Sequence, residues 1–201
     1  MSPLPQRVVK VGGSLLDLPQ LDVALCAWLE RQAPARTVLV AGGGVWVEAV
    51  RAAQQRHHFP DEDAHWLSVR AMTVTARLLA RVVRATLCAT SLAESAARLA
   101  GERLVVLDPE AFLREEECHL PGPRLPACWD TTSDSIAARL AAALGACELV
   151  LLKSRLPTAT TRYGTAQEGY VDGFFPRAAR PLATVRCVDL RDAAWPERVL
   201  D

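Results

Sequence analysis

A lysine, two glycines and a serine close to the N-terminus, Lys10, Gly12, Gly13 and Ser14, have the residue types that hold an anion. Glycine lets the chain turn tightly and lets a phosphate approach backbone N–H groups, and an ammonium at the same turn adds a full positive charge. A second run, Gly42-Gly43-Gly44, has the same character. Three successive glycines cost chain entropy, and close ligand approach explains them better than packing does. Lys10 and Lys153 are the only lysines in a chain whose other basic residues are arginine and histidine, and Lys153 is followed by Ser154. Asp134, in the cap-forming stretch Thr131-Thr132-Ser133-Asp134-Ser135, is a carboxylate able to hold a lysine toward a phosphate. The chemistry that suits this set is phosphoryl transfer, which works by positioning and charge neutralisation and needs no covalent intermediate.

The elements that position these residues read as an α/β pattern. A strand over 7–11, a helix over 20–33 and a strand over 37–41 make a βαβ unit with a right-handed crossover. The apolar runs are continuous rather than alternating, as expected for parallel strands covered on both faces. Further helices are expected over 45–57, about 63–85, 92–100 and 133–144, with strands at 103–108, 148–153 and 185–190. His57 to Asp63 reads as a polar break, 109–117 as a short acidic helix or turn, 118–129 as a proline-rich loop, and 154–180 follows no clear period. Both glycine clusters and Lys153 then fall at the carboxyl ends of strands, where open parallel sheets bind ligands. With no repeat, low-complexity tract or linker, residues 1–201 read as one domain.

Composition narrows the function class. Lys+Arg and Asp+Glu are 23 each, giving a formal net charge of zero, which argues against nonspecific nucleic-acid binding. No apolar run is long enough to span a bilayer, and no leader-like segment opens the chain. Among the cysteines Cys26, Cys88, Cys118, Cys128, Cys147 and Cys187 there is no C-x-x-C pair, and no spacing fits zinc. Cys26 and Cys147 read as small buried hydrophobes, and free thiols favour the cytoplasm.

Several features have ordinary structural readings. Thr131 and Asp134 have the spacing of a capping box. Gly169-Tyr170-Val171-Asp172-Gly173-Phe174-Phe175-Pro176 reads as an ordered loop, either a structural turn or a ligand contact. His57, His58, His65 and His119 have no metal or triad spacing, and Trp46 and Trp66 read as packing residues. The Ala- and Leu-rich helix near 66–83 suits either packing on the sheet or a dimer interface. Neither glycine cluster is a Walker A loop or a dinucleotide fingerprint.

Taken in order, Lys10-Val-Gly-Gly-Ser14, Gly42-Gly-Gly44, Ser133-Asp134 and Leu151-Leu152-Lys153-Ser154 resemble the amino acid kinase family over most of the chain. The resemblance implies a three-layer αβα sandwich on a mainly parallel sheet, with the phosphoryl acceptor in the N-terminal half and ATP, with Mg2+, in the C-terminal half. It implies that Lys10 contacts the transferring phosphoryl group, that Asp134 orients it, and that Gly12, Gly13, Ser14, Gly42, Gly43 and Gly44 bind phosphate and acceptor. Lys153, Ser154 and Asp172 are implied on the nucleotide side. His65-Trp66, Leu151 to Ser154 and Val171 to Pro176 look closest to the branch containing the (aminomethyl)furanylmethyl phosphate kinase of methanofuran biosynthesis, linked to one-carbon metabolism. That branch implies a phosphorylated small-molecule acceptor converted to its diphosphate. One departure stands out: many family members follow the late strand with an acidic residue and an Asp-Gly turn, whereas here the chain reads Ser154-Arg155-Leu156-Pro157. A non-catalytic nucleotide- or phosphometabolite-binding subunit, and a kinase of another acceptor such as an isoprenoid phosphate, therefore stay open.

Overall fold

The computed structural model describes residues 4–84 and 89–201. Strands β1 (Gln6–Val11), β2 (Arg36–Ala41), β3 (Leu104–Leu107), β4 (Glu148–Lys153), β5 (Val185–Asp189) and β6 (Glu197–Leu200) form one sheet in the order β3-β2-β1-β4-β5-β6. The first five are parallel, and β6 runs antiparallel to β5 at the edge. Val8, Val9, Val11, Val38, Leu39 and Val40 are fully buried, as the unbroken apolar runs predict for strands covered on both faces.

Alternation along β1 sorts the two faces. Val8 points into a cluster with Ile136, Ala137 and Leu140, whereas Val9 and Val11 point into a cluster with Leu21, Leu25 and Trp28. In chain order come helices α1 (Leu21–Glu30), α2 (Gly44–His57), α3 (Asp61–Val82), α4 (Leu92–Gly101), α5 (Pro109–Ala111) and α6 (Ser133–Ala143); α6 covers the first cluster and α1 the second. Helix α3 (Asp61–Val82) contributes Val69 and Met72 to the first cluster and Ala76 and Leu79 to the second. This is the α/β architecture expected from the sequence, with helices flanking a mostly parallel sheet.

Register brings the site residues together. Val11 is level with Ala41 on β2 and with Leu152 on β4, so Gly12, Gly42 and Lys153 emerge side by side at the carboxyl ends of three adjacent strands. The amide of Gly12 donates to Leu152 O and that of Gly42 to Val11 O, both at 2.8 Å, which locks the three strand ends.

Several expectations shift. α1 stops at Glu30, before Pro34, and α3 starts at Asp61, within the expected polar break. Asp61, Glu62 and Asp63 occupy its first turn, where carboxylates meet the positive end of the helix dipole. The expected end of that helix at residue 85, and Cys88, lie outside the described residues. The stretch 154–180 contains short helices α7 (Arg162–Gln167) and α8 (Phe175–Ala178), too brief to show a period. The edge strand β6 was not anticipated, because only four residues with a single buried side chain carry it. Cys26 and Cys147 are exposed rather than buried: the buried residues of α1 are Leu21, Leu25 and Trp28, and Cys147 sits in the turn before β4. Among the described residues no helix is long and apolar enough to cross a membrane.

Candidate active site

Helix α2 (Gly44–His57) and a short 3-10 helix, Gly13–Leu15, start at the ends of β2 and β1. The first amides of a helical turn have no partner inside it, and Gly13, Ser14, Gly43 and Gly44 stand at these two starts. The two turns are in backbone contact. A Cβ on Gly13 would fall 2.2 Å from Gly44 N, and one on Gly42 would fall 2.6 Å from Gly13 N. Gly44 also has φ +55, a left-handed conformation that favours glycine. Gly12 differs from expectation, because its amide is committed to Leu152 O; it serves by letting β1 approach Lys153, whose Cα would be 3.6 Å from an added Cβ.

Lys10 lies on the same face of β1 as Val8, so its side chain runs beneath the N-terminus of α6. Its Nζ is 2.8 Å from Asp134 Oδ1, and Lys153 Nζ is 2.8 Å from Asp134 Oδ2. One buried carboxylate thus spaces two cations from neighbouring strands. Burial alone would raise the Asp134 carboxyl; Lys10 and then Lys153 overcome it and bring it from 3.8 down to about 2. Burial pushes the Lys10 ammonium below its ordinary 10.5, with Asp134 opposing the shift. Lys153 also donates to the carbonyl of Tyr170, and its ammonium lies 4.3 Å from the centre of the Tyr170 ring. Ser14 and Ser154 meet at 3.2 Å between their hydroxyls, so the first glycine turn touches the segment after β4 directly.

The N-cap of α6 is Thr132, not Thr131. Its hydroxyl accepts from Asp134 N, and the carboxylate of Asp172 accepts from Thr132 N at 3.0 Å, Thr132 Oγ1 at 2.7 Å and Ser135 N at 3.1 Å. Asp172 also takes the Ser135 hydroxyl and the amides of Phe174 and Phe175. Its oxygens are spent on fixing the helix that carries Asp134, and burial, then the nearby Asp134 charge, pushes its own carboxyl up. The structure thus places Asp172 behind Asp134, as a support.

A cleft of about 580 Å³ opens from the glycine turns. Val69, Met72 and Ile136 floor it, and Trp46 and Trp129 stand in its walls. Trp46 is 40% exposed, so it is not the packing residue expected; it begins α2 facing the cleft. Trp129 donates to Gln54 Oε1 at 2.6 Å, and the Arg51 guanidinium lies 3.8 Å from its ring centre. The loop carrying Trp129 is tied down by buried Arg139, which pairs with Glu117 at 2.9 Å and donates to Pro121 O at 2.7 Å. His65 is buried and lines the cleft, and burial pushes its imidazole below 6.5. Thr131, Ser68 and His65 are contributions that the sequence reading misses; on α3, His65, Ser68 and Met72 stand at i, i+3 and i+7, one helix face.

The segment after β4 is tied to the protein. The amides of Thr158 and Ala159 donate to Glu168, and Arg198 donates to the carbonyls of Pro157 and Thr158 at 2.6 Å each. Among the described residues no group of three or more His, Cys, Asp or Glu side chains is arranged to hold a metal. Two lysines, free amides and one neutralised carboxylate suit phosphate oxygens, so a magnesium ion here would be held by nucleotide phosphates and water.

The fold has solved counterparts. Uridylate kinase from Archaeoglobus fulgidus aligns at 15% identity with a TM-score of 0.60, over 89% of this chain and 88% of its own. UMP kinase from Ureaplasma parvum aligns at 12% identity and TM-score 0.63, over 94% and 91%. Aspartate kinase from Synechocystis aligns at 16% identity and TM-score 0.63, over 98% of this chain but 40% of that longer one. No curated protein sequence shows significant similarity to the chain. Residues 5–155 match the amino acid kinase family, covering both glycine turns, Asp134 and Lys153. The chain therefore belongs to the amino acid kinase family and is a small-molecule phosphotransferase.

Proposed function

We propose that the chain transfers the γ-phosphoryl group of ATP to a phosphate monoester, and that the acceptor is (aminomethyl)furanylmethyl phosphate, giving the diphosphate. The observation that carries the transfer is the pair of lysines held on Asp134, 2.8 Å from each, at the mouth of two glycine turns. An oxygen of the acceptor phosphate attacks the γ-phosphorus, the bond from the γ-phosphorus to the bridging oxygen breaks, and ADP leaves. Lys10 and the amides of Gly13, Ser14, Gly43 and Gly44 neutralise the group in transfer. Lys153 and Ser154 meet the nucleotide side, Gly42 keeps the two turns in contact, and Asp172 fixes the helix that presents Asp134. Magnesium supplies charge neutralisation on the nucleotide phosphates.

The cleft supports a small acceptor with an apolar body, since Val69, Met72, Ile136, Trp46 and Trp129 are among its lining residues. The furan assignment rests on the resemblance of His65-Trp66, Leu151 to Ser154 and Val171 to Pro176 to that branch. A panel of Mg-ATP reactions with the furan phosphate, an isoprenoid phosphate, UMP and aspartate, followed by ADP release, tests it. The furan phosphate is expected to give the highest kcat/KM; faster turnover of a carboxylate acceptor would overturn the reading.

One observation favours a second reading, a subunit that binds nucleotide without turning it over. Glu168 and Arg198 already occupy the backbone of Pro157 to Ala159. Thermal stabilisation by ATP with no ADP produced from any acceptor is the result that reading expects. Self-association through the exposed apolar residues Leu67, Val74 and Leu78 of α3 completes the proposal.

A further inference from the structure

Two hydroxyl oxygens facing the cleft are buried and have no hydrogen-bond partner: Ser68 Oγ on α3 and Thr131 Oγ1 just before α6. Thr131 is only 5% exposed. A buried hydroxyl left unpaired costs stability, so two of them on one cleft call for a partner. The surrounding groups give the ligand's chemistry. His65 lines the same cleft, burial pushes its imidazole below 6.5, and it bonds the backbone of Cys128, whose carbonyl also accepts from Thr131 N at 3.1 Å. Each hydroxyl both donates and accepts, so the pair suits a small hydrogen-bonding substituent such as a hydroxyl or an amine.

Geometry gives the distance. Met72 reaches within 3.7 Å of the position a Cβ on Gly43 would take, so Met72 marks the phosphate end of the cleft. With a rise of 1.5 Å per residue, Ser68 sits about 6 Å and His65 about 10 Å further along α3. A ligand whose phosphate lies on the glycine turns therefore passes its apolar body over Val69 and ends beside Ser68.

We infer that Ser68 and Thr131 are specificity-determining residues that bind an amine or hydroxyl substituent at the far end of the acceptor, one small ring away from its phosphate. The inference rests on the acceptor being a phosphate ester seated on the glycine turns. Binding separates the two ideas, because it needs no turnover.

The test measures Kd by calorimetry for three ligands: (aminomethyl)furanylmethyl phosphate, its hydroxymethyl counterpart and its methyl counterpart. Wild type is expected to bind the better of the two donor-bearing ligands about tenfold or more tightly than the methyl one, the discrimination a site with unpaired buried groups gives. In Ser68→Ala and Thr131→Val that ratio is expected to collapse toward one. Both variants remove an unpaired hydroxyl, so in the free protein each is expected to raise Tm by about 2–4 °C. A packing role predicts the opposite, a lower Tm with the affinity ratio unchanged. Equal binding of all three ligands by wild type, no binding of any at millimolar concentration, or an unaltered ratio in both variants overturns the inference. Absence of ADP release with the affinity ratio intact would instead count against the kinase reading alone.

Discussion

Lys153 Nζ and Asp134 Oδ2 lie 2.8 Å apart across the gap between β4 and α6, although 19 residues separate them in the chain. The other oxygen of Asp134 faces Lys10. The carboxylate thereby stands between two ammonium groups that would repel each other without it. Removing one partner of a buried ion pair costs about 3–5 kcal/mol because the remaining charge is left uncompensated. Asp134→Asn is expected to lower stability by an amount in that range and to abolish turnover. Denaturant unfolding alongside ADP release checks both; a fully active, equally stable Asn variant would refute the role.

The pH dependence follows from the same carboxylate. Its folded pKa, about 2, is depressed below 3.8, so its stabilisation is present above 3.8 and is lost as pH falls toward 2. The shift is worth about 2 kcal/mol. Asp172 works the other way, since its raised carboxyl favours the folded state as pH drops. Asp134→Asn should therefore flatten the acid limb of stability, and Asp172→Asn should steepen it, in unfolding measured from pH 5 to 2. Lys10 acts at the alkaline end: its lowered pKa means that stability rises with pH below 10.5 while the protonated form needed for phosphate is lost. Activity is expected to fall in that window without a matching loss of stability from this residue.

Asp172 supplies a separate structural prediction. It caps α6 through the amides of Thr132 and Ser135 and ties in Phe174 and Phe175. Asp172→Ala leaves those buried donors unpaired, and about 2–4 kcal/mol of stability should go with it. A direct nucleotide ligand would instead show an unchanged Tm and a weakened ATP affinity.

The sequence made the strand ends readable because continuous apolar runs and glycine have strong local causes. Lys10, Asp134 and Lys153 were readable as a set because lysine is so scarce. The cleft was not readable: Trp129 is brought to it by a proline-rich loop that Arg139 anchors from another element, and Thr131 is left unpaired only because Thr132 takes the cap. Cys26 shows the limit of local pattern, since an apolar neighbourhood on α1 said nothing about which side faces the sheet.

The exposed stripe Leu67, Val74 and Leu78 sets the expectation for assembly. Light scattering is expected to give at least a dimer, and Val74→Glu with Leu78→Glu to give a monomer. A monomeric wild type would remove this part of the account.

The contact between glycine turns offers a check independent of charge. With 2.2 Å between an added Cβ on Gly13 and Gly44 N, both backbone segments must separate. Gly13→Ala is expected to weaken phosphate binding at least tenfold, read as Kd for the acceptor by calorimetry.

The most direct measurement is ADP release from Mg-ATP and the furan phosphate by wild type and by Lys10→Ala. The account predicts turnover by wild type and a loss of about a hundred- to a thousandfold in the variant, the scale on which removing a charge-stabilising group acts in such sites. No ADP release from wild type, or equal rates in the two proteins, would contradict it.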